Sequence, residues 1–320
     1  MIEGVRSRED TVDSGVPQGT VMGPLLFLIH ISDLPIVLDP NTAVRLFADD
    51  CLVYRSIDGI EDQLGLQRDL DALVLWGACW GMKFNAAKCN IIHMGKLRFH
   101  FFYHLNFQVL QIVPHATYLG ITLTSDLTWR KHIESTASKA RQRLGFVKRN
   151  LRGAPYRCRE TAYITLIRSQ MEYCGDIWDP NFKKDSDLLE KVQRKAARWA
   201  RGKEFSECSV GRLLKDLRWA PLVDRRRDQR LILFFKLLDP AHKSGTLDKT
   251  SLDLKFEDRA LLRGNSNPRS LVRPKPKWKS SPLWKSTVIR TIPQWNNLLA
   301  YQVEADILTT FKCRLACPSP

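Results

Sequence analysis

Two periods of apolar and polar residues alternate along the chain. Between Val44 and Tyr54, two short apolar runs flank Asp49 and Asp50 in the order Val-Arg-Leu-Phe-Ala-Asp-Asp-Cys-Leu-Val-Tyr. This pattern predicts a tight β-hairpin carrying two carboxylates at its tip. Ahead of it, Leu25 to Leu34 is an apolar segment of helical length that ends near Pro35. Between 60 and 80, Leu64, Leu66, Leu70, Leu73, Val74 and Trp76 recur near helical spacing, so an amphipathic helix is expected there, closed by Gly81. Asn90 to Met94, Phe107 to Val113 and Thr117 to Leu123 read as strands.

From 126 onward the helical period dominates. Ile133, Ala137, Ala140, Leu144, Val147 and Leu151 form one apolar face, while Lys139, Arg141, Arg143, Lys148 and Arg149 occupy the other. Gly153 is the expected stop. Further helices are expected over about 157–174, from Asp187 to Ala200, and over about 209–217 and 221–238. Asp187 and Glu190 have the spacing of a capping box at the start of the second of these. Residues 240–290 lose periodicity, with a basic, proline-broken stretch from Arg273 to Lys279. Thr291 to Leu315 regains a helical pattern.

Charge divides the chain in the same place. Residues 1–125 carry 9 Lys and Arg against 13 Asp and Glu, a net of −4. Residues 126–320 carry 41 against 21, a net of +20. An acidic front and a basic back suit an acidic site followed by a polyanion-binding surface. No apolar run reaches the roughly 18 residues that span a bilayer, and no signal peptide is evident, so an intracellular protein, nuclear or cytoplasmic and not secreted, is expected. The eight cysteines contain no Cys-x-x-Cys pair, and they read as reduced, buried thiols. His100 with His104, and Cys313 with Cys317, are each four apart; packing among aromatic neighbours is the expected role of the histidines, and no metal role is expected of either pair.

Two sequence features bear on chemistry. Ser14 to Pro24 packs three glycines and two prolines into eleven residues, a loop whose backbone can approach a ligand closely. Paired carboxylates on a rigid turn are suited to a divalent cation, although an isolated Asp-Asp turn is also a frequent solvated feature.

The order of segments is more specific. Ser14–Pro24, then Phe47-Ala48-Asp49-Asp50, then Trp80 to Lys88, then Tyr118-Leu119-Gly120, resembles the palm of a reverse transcriptase, most of all the non-LTR retrotransposon class of the jockey and chicken-repeat type. The segments are similar, in order, to that family's motifs B, C, D and E. The resemblance implies that Asp49 and Asp50 hold Mg²⁺ or Mn²⁺ and that Pro17, Gln18, Gly19 and Phe47 lie against template base and incoming nucleotide. It also implies that Lys88 protonates the leaving pyrophosphate and that Tyr118, Leu119 and Gly120 grip the primer. The implied partners are an RNA template, a DNA primer and deoxynucleoside triphosphates, with no membrane; the oligomeric state is left open.

The expected fold class is α+β. Residues 1–125 are expected to form a partial palm, 126–239 a basic α-helical thumb, and 240–320 a basic linker with a helical tail. The family's motif A aspartate has no evident counterpart. Glu3, Glu9, Asp10 and Asp13 precede Ser14, but none sits in an apolar strand. The chain therefore reads as a C-terminal portion with little activity alone. Two readings stand: an RNA-directed DNA polymerase fragment, or an inactive nucleic-acid-binding remnant.

Overall fold

The computed structural model describes residues 15, 19–95, 101–202, 208–238, 255–256, 267–273 and 286–316. The chain is a mixture of helices and small two-stranded sheets, divided into two compact units, Met1–Ala116 and Thr117–Pro320. Pro17, Gln18, the four acidic residues before Ser14, His100 and Cys317 lie outside the described residues.

In the first unit, helix α1 (Met22–His30) leads into a 3₁₀ turn (Leu34–Val37), the hairpin β1 (Thr42–Phe47) and β2 (Asp50–Arg55), and helix α2 (Ile60–Cys79). The apolar segment thus stops being α-helical at His30, and Pro35 lies in the following turn. Ile31, Leu34, Leu38, Leu73 and Trp76 form the core, with Val44, Leu46 and Val53 of the hairpin packed on it. Short strands follow: β3 (Asn90–Ile91), β4 (His104–Leu105), β5 (Gln108–Val109) and β6 (Gln111–Ile112). The run from Phe107 to Val113 is not one strand. Its first part pairs back onto β4, and its second joins β3 in parallel. His104 lies on a strand, where spacing by four does not align side chains as on a helix.

Arg55, at the base of the hairpin, anchors it. Its guanidinium lies 3.4 Å from Asp39, 3.3 Å from Asp62 and 3.8 Å from Asp69. Asp69, buried on α2, also accepts the Asp39 backbone N–H at 2.8 Å. A Cβ at Gly65 would meet the Arg55 guanidinium at 2.8 Å, so glycine there leaves room for the anchor.

Strand β7 (His115–Tyr118), whose last two residues open the second unit, and β8 (Ile121–Thr124) form a hairpin that precedes helix α3 (Arg130–Asn150). The apolar face read from sequence is buried, from Ile133 through Val147. It packs on α7 (Lys183–Arg201), whose Leu189, Val192, Ala196, Ala197 and Ala200 are wholly buried. Alanines on both faces let the two helices approach closely. Helix α7 starts four residues earlier than its expected cap. Phe182 precedes the first turn, and Glu190 instead accepts the backbone N–H of Val223 at 3.0 Å. The helix expected over 157–174 is α4 (Tyr156–Tyr163), a π-helical turn (Ile164–Arg168) and α5 (Ser169–Glu172). Short α6 (Gly175–Trp178), α8 (Val210–Asp216) and α9 (Leu222–Leu238) follow. The C-terminal pattern resolves into α10 (Thr287–Asn296), α11 (Ala300–Val303) and α12 (Leu308–Ala316).

Helix α9 serves two cores. Leu222 belongs to the α3–α7 core, and Leu231, Phe234, Phe235 and Leu238 pack with Trp295 and Phe311. Asp179 fixes this arrangement. Its carboxylate meets Arg226 Nε at 2.8 Å, Arg230 at 3.1 Å and Arg290 at 3.1 Å. The Arg225-Arg226-Arg227 run is therefore structural. Arg225 pairs with Glu172, Arg226 with Asp179, and Arg227 with Asp224 and Asp228.

None of the seven described cysteines is buried, and all are free thiols. The expected burial is not found. Cys79 and Cys51 occupy exposed positions beside, not within, the apolar face of their element. No described helix is long and apolar enough to cross a membrane.

Asp179→Ala leaves the buried Arg226 and Arg230 without their counter-charge. A loss of about 3–5 kcal/mol is expected, the range for one partner removed from a buried pair. Urea denaturation measures it; a loss below about 1 kcal/mol, the scale of an exposed pair, would contradict the role given to Asp179.

Candidate active site

The hairpin register runs from Thr42 opposite Arg55 to Phe47 opposite Asp50, leaving Ala48 and Asp49 as the loop. Ala48 has a φ of 50°, the sign a primed hairpin turn needs at its first position. Asp49 is thereby set at the apex and Asp50 in the last pair of the ladder. Both are exposed, as is Phe47. Neither carboxylate is engaged by a donor or cation among the described residues.

Lys88 is exposed on a 3₁₀ turn (Ala86–Lys88) whose backbone N–H of Lys88 donates to Asn85 O at 3.0 Å. Gly19 has a φ of +85° and no atom within 4 Å of where a Cβ would sit. Its glycine is thus required by backbone conformation rather than by a crowded neighbour. Thr20 Oγ1 accepts the Gly23 N–H at 3.0 Å at the start of α1.

The carboxylates suit a divalent cation in donor type, since hard cations take oxygen ligands. Their number is short of a two-ion site. Among the described residues no group of three or more His, Cys, Asp or Glu side chains is placed to hold a metal ion.

In the second unit, Leu119 (φ 46°) and Gly120 (φ 79°) connect β7 to β8. Two consecutive left-handed residues are the signature of a type I′ turn, and leucine is costly in the first position. Tyr173 secures it: its hydroxyl donates to Leu119 O at 3.1 Å. A Cβ on Gly120 would sit 3.4 Å from the Tyr173 ring. Strained backbone held by a specific contact is frequent at functional sites.

Beside this turn is a cavity of about 320 Å³ lined in part by His132, Lys139, Arg143, Ser169, Gln170 and Tyr173. Sequence reading placed Lys139 and Arg143 on an outer basic face but missed the cavity. The available signal was a polar stripe on α3, His132, Thr136, Lys139 and Arg143, stepping by four, three and four beside the apolar one. His132 is buried, its Nδ1 accepts the Thr122 N–H at 3.2 Å, and its Nε2 faces Thr136 Oγ1 at 3.4 Å. Burial, then Lys139, lowers its pKa below the ordinary histidine value.

This shift has a definite sign. The unfolded chain binds the His132 proton at a pH where the folded chain does not, so stability falls as pH drops below about 6.5. His132→Gln removes this dependence. Thermal denaturation from pH 7.5 to 5.5 is expected to show a steeper loss for the parent chain than for the variant. Parallel curves would contradict a neutral, buried His132.

Residues 1–123 match the family described as reverse transcriptase (RNA-dependent DNA polymerase). The RNA-directed DNA polymerase from mobile element jockey of Drosophila funebris is 32% identical over 150 residues, 44% of this chain and 16% of that protein. The probable RNA-directed DNA polymerase from transposon BS of Drosophila melanogaster is 30% identical over 198 residues, 58% of this chain and 22% of that protein. That from transposon X-element of the same organism is 26% identical over 226 residues, 68% of this chain and 25% of that protein. The chain thus spans a quarter or less of these relatives, and no solved structure matches it. Residues 1–123 thus match the reverse transcriptase family, and the chain is similar to proteins named as RNA-directed DNA polymerases of non-LTR elements.

Proposed function

We propose that this chain supplies the acidic hairpin and the strand-holding helices of an RNA-directed DNA polymerase that copies an RNA template from a DNA primer. In this reading residues 1–125 are a partial palm, 126–239 a thumb, and 240–320 a basic tail. The hairpin tip carries the reading: two adjacent, exposed, unengaged carboxylates on a ladder braced by Arg55.

The family is generally dependent on divalent metal. Asp49 and Asp50 would hold Mg²⁺ or Mn²⁺, which when bound activates the primer 3′-hydroxyl and stabilises the departing pyrophosphate. The reading requires further oxygen ligands from water, the triphosphate and a carboxylate outside the described residues. Lys88 donates the proton that the pyrophosphate takes as its bond to the α-phosphorus breaks. Pro17, Gln18, Gly19 and Phe47 lie against the nascent base pair, and the Tyr118–Gly120 turn steadies the primer end.

A second reading is binding without synthesis. The two-carboxylate count among the described residues favours it, and the basic face of α3 would then be the working part.

Primer extension on an RNA template with Mg²⁺ or Mn²⁺ separates the two. Under the first reading the full chain gives weak but detectable extension, and Asp49→Ala or Lys88→Ala abolishes it. Steeply salt-dependent binding with no extension in either metal would sink the first reading and leave the second.

A further inference from the structure

We propose that His132 is a proton-operated latch: neutral, it holds the β7–β8 hairpin on helix α3; protonated, it lets the hairpin go. The latch does not depend on the function given above, because it concerns how the Leu119–Gly120 turn is held and not what the turn contacts.

One hydrogen bond makes the latch. The backbone N–H of Thr122, on β8, donates to His132 Nδ1, on α3, at 3.2 Å. Nδ1 accepts only while it carries no proton, so the ring's single proton lies on Nε2, which faces Thr136 Oγ1 at 3.4 Å. A second proton must go to Nδ1. Two N–H donors then face each other, and the Thr122 N–H loses its acceptor. The ring has no room to swing into solvent. It is 6% exposed and meets Trp178 edge-on, with centroids 5.0 Å apart.

No carboxylate is free to compensate the new charge. The cavity beside the ring is lined by the cations Lys139 and Arg143, by the phenol of Tyr173 and by no acid. Asp126, in the loop after β8, is engaged by Thr124 and Thr128. On α6, Asp176 has Lys236 as its neighbouring cation. Asp179, just after α6, is bound to three arginines, and Glu172 of α5 to Arg225. Burial and then Lys139 accordingly hold the ring below the ordinary histidine pKa.

The hairpin's other holds do not respond to the same proton. Tyr173 donates to Leu119 O at 3.1 Å, and Thr124 Oγ1 donates to Thr128 O at 2.7 Å. Neither group titrates between about pH 5.5 and 7.5. Protonation therefore frees the middle of β8 while both ends stay tied, and the opening is local. His115, on β7, titrates in this range too but is not part of the cavity lining.

The test is hydrogen–deuterium exchange of the full 320-residue chain, read on residues 117–124 and, for reference, on α7, with rates corrected for the intrinsic effect of pH. From pH 7.5 to 5.5 hairpin protection should fall about 3- to 10-fold, ten being the ceiling for a group that titrates near 6.5 once released. Hairpin exchange should respond little to sub-denaturing urea, and α7 should stay more protected, as a local opening demands. His132→Asn keeps an oxygen acceptor near the Nδ1 position and has no proton to gain, so its hairpin protection should be equal at the two pH values. Tyr173→Phe deletes a hold that does not titrate. It should raise exchange at both pH values and leave their ratio unchanged, which keeps the latch testable if His132→Asn fails to fold. A parent ratio below about twofold, the parent's ratio retained in His132→Asn, or its disappearance in Tyr173→Phe would overturn the latch. So would one common protection and urea slope for the hairpin and α7.

Discussion

One carboxylate holds the second unit together. Asp179 is buried and faces Arg226, Arg230 and Arg290, which come from α9 and α10. Buried cations are tolerated only when paired, so α9 and α10 are committed to the turn that carries Asp179. Helix α9 reaches both hydrophobic cores, and fixing it aligns one with the other. The α3–α7 core in turn supports the strained Leu119–Gly120 turn through Tyr173, which lies between α5 and α6. The chemistry proposed for that turn therefore depends on a remote ion cluster with no catalytic role.

That cluster also alters what net charge means here. The second half of the chain is strongly basic, and on charge alone the whole surface would serve a polyanion. Arg225, Arg226, Arg227, Arg230 and Arg290 are instead engaged by carboxylates, and Arg226 is wholly buried. Cations left to meet a phosphate backbone are found on α3. Charge is thus divided by function, with arginines mostly securing the fold on α9 and a mixed Lys and Arg face presented by α3.

Elements with a clean period were legible in the sequence. The hairpin around Asp49 and Asp50, helix α2 and the buried face of α3 all follow from spacing alone, because burial selects one face and the period shows it. Ends and interruptions were less legible. The Asp187–Glu190 spacing suggested a cap, yet the chain enters α7 at Lys183, and Glu190 secures α9. A π-helical turn inserts one residue per turn without changing composition, so no pattern announced Ile164–Arg168. The cysteines read as buried because their neighbours are apolar, but a residue one step around a helix or strand faces water. The cavity was missed for a different reason: its lining joins α3, α5 and the β7–β8 turn, and only tertiary packing brings them together.

The central claim is that Asp49 and Asp50 form a cation-holding tip. Localised cleavage tests it most directly: Fe²⁺ replaces Mg²⁺, and ascorbate with peroxide generates radicals that cut the backbone near the bound ion. The account predicts cuts clustered around residues 47–52, suppressed by excess Mg²⁺ and absent from Asp49→Ala. Cuts distributed along the chain, or a hairpin cut unchanged in Asp49→Ala, would contradict it.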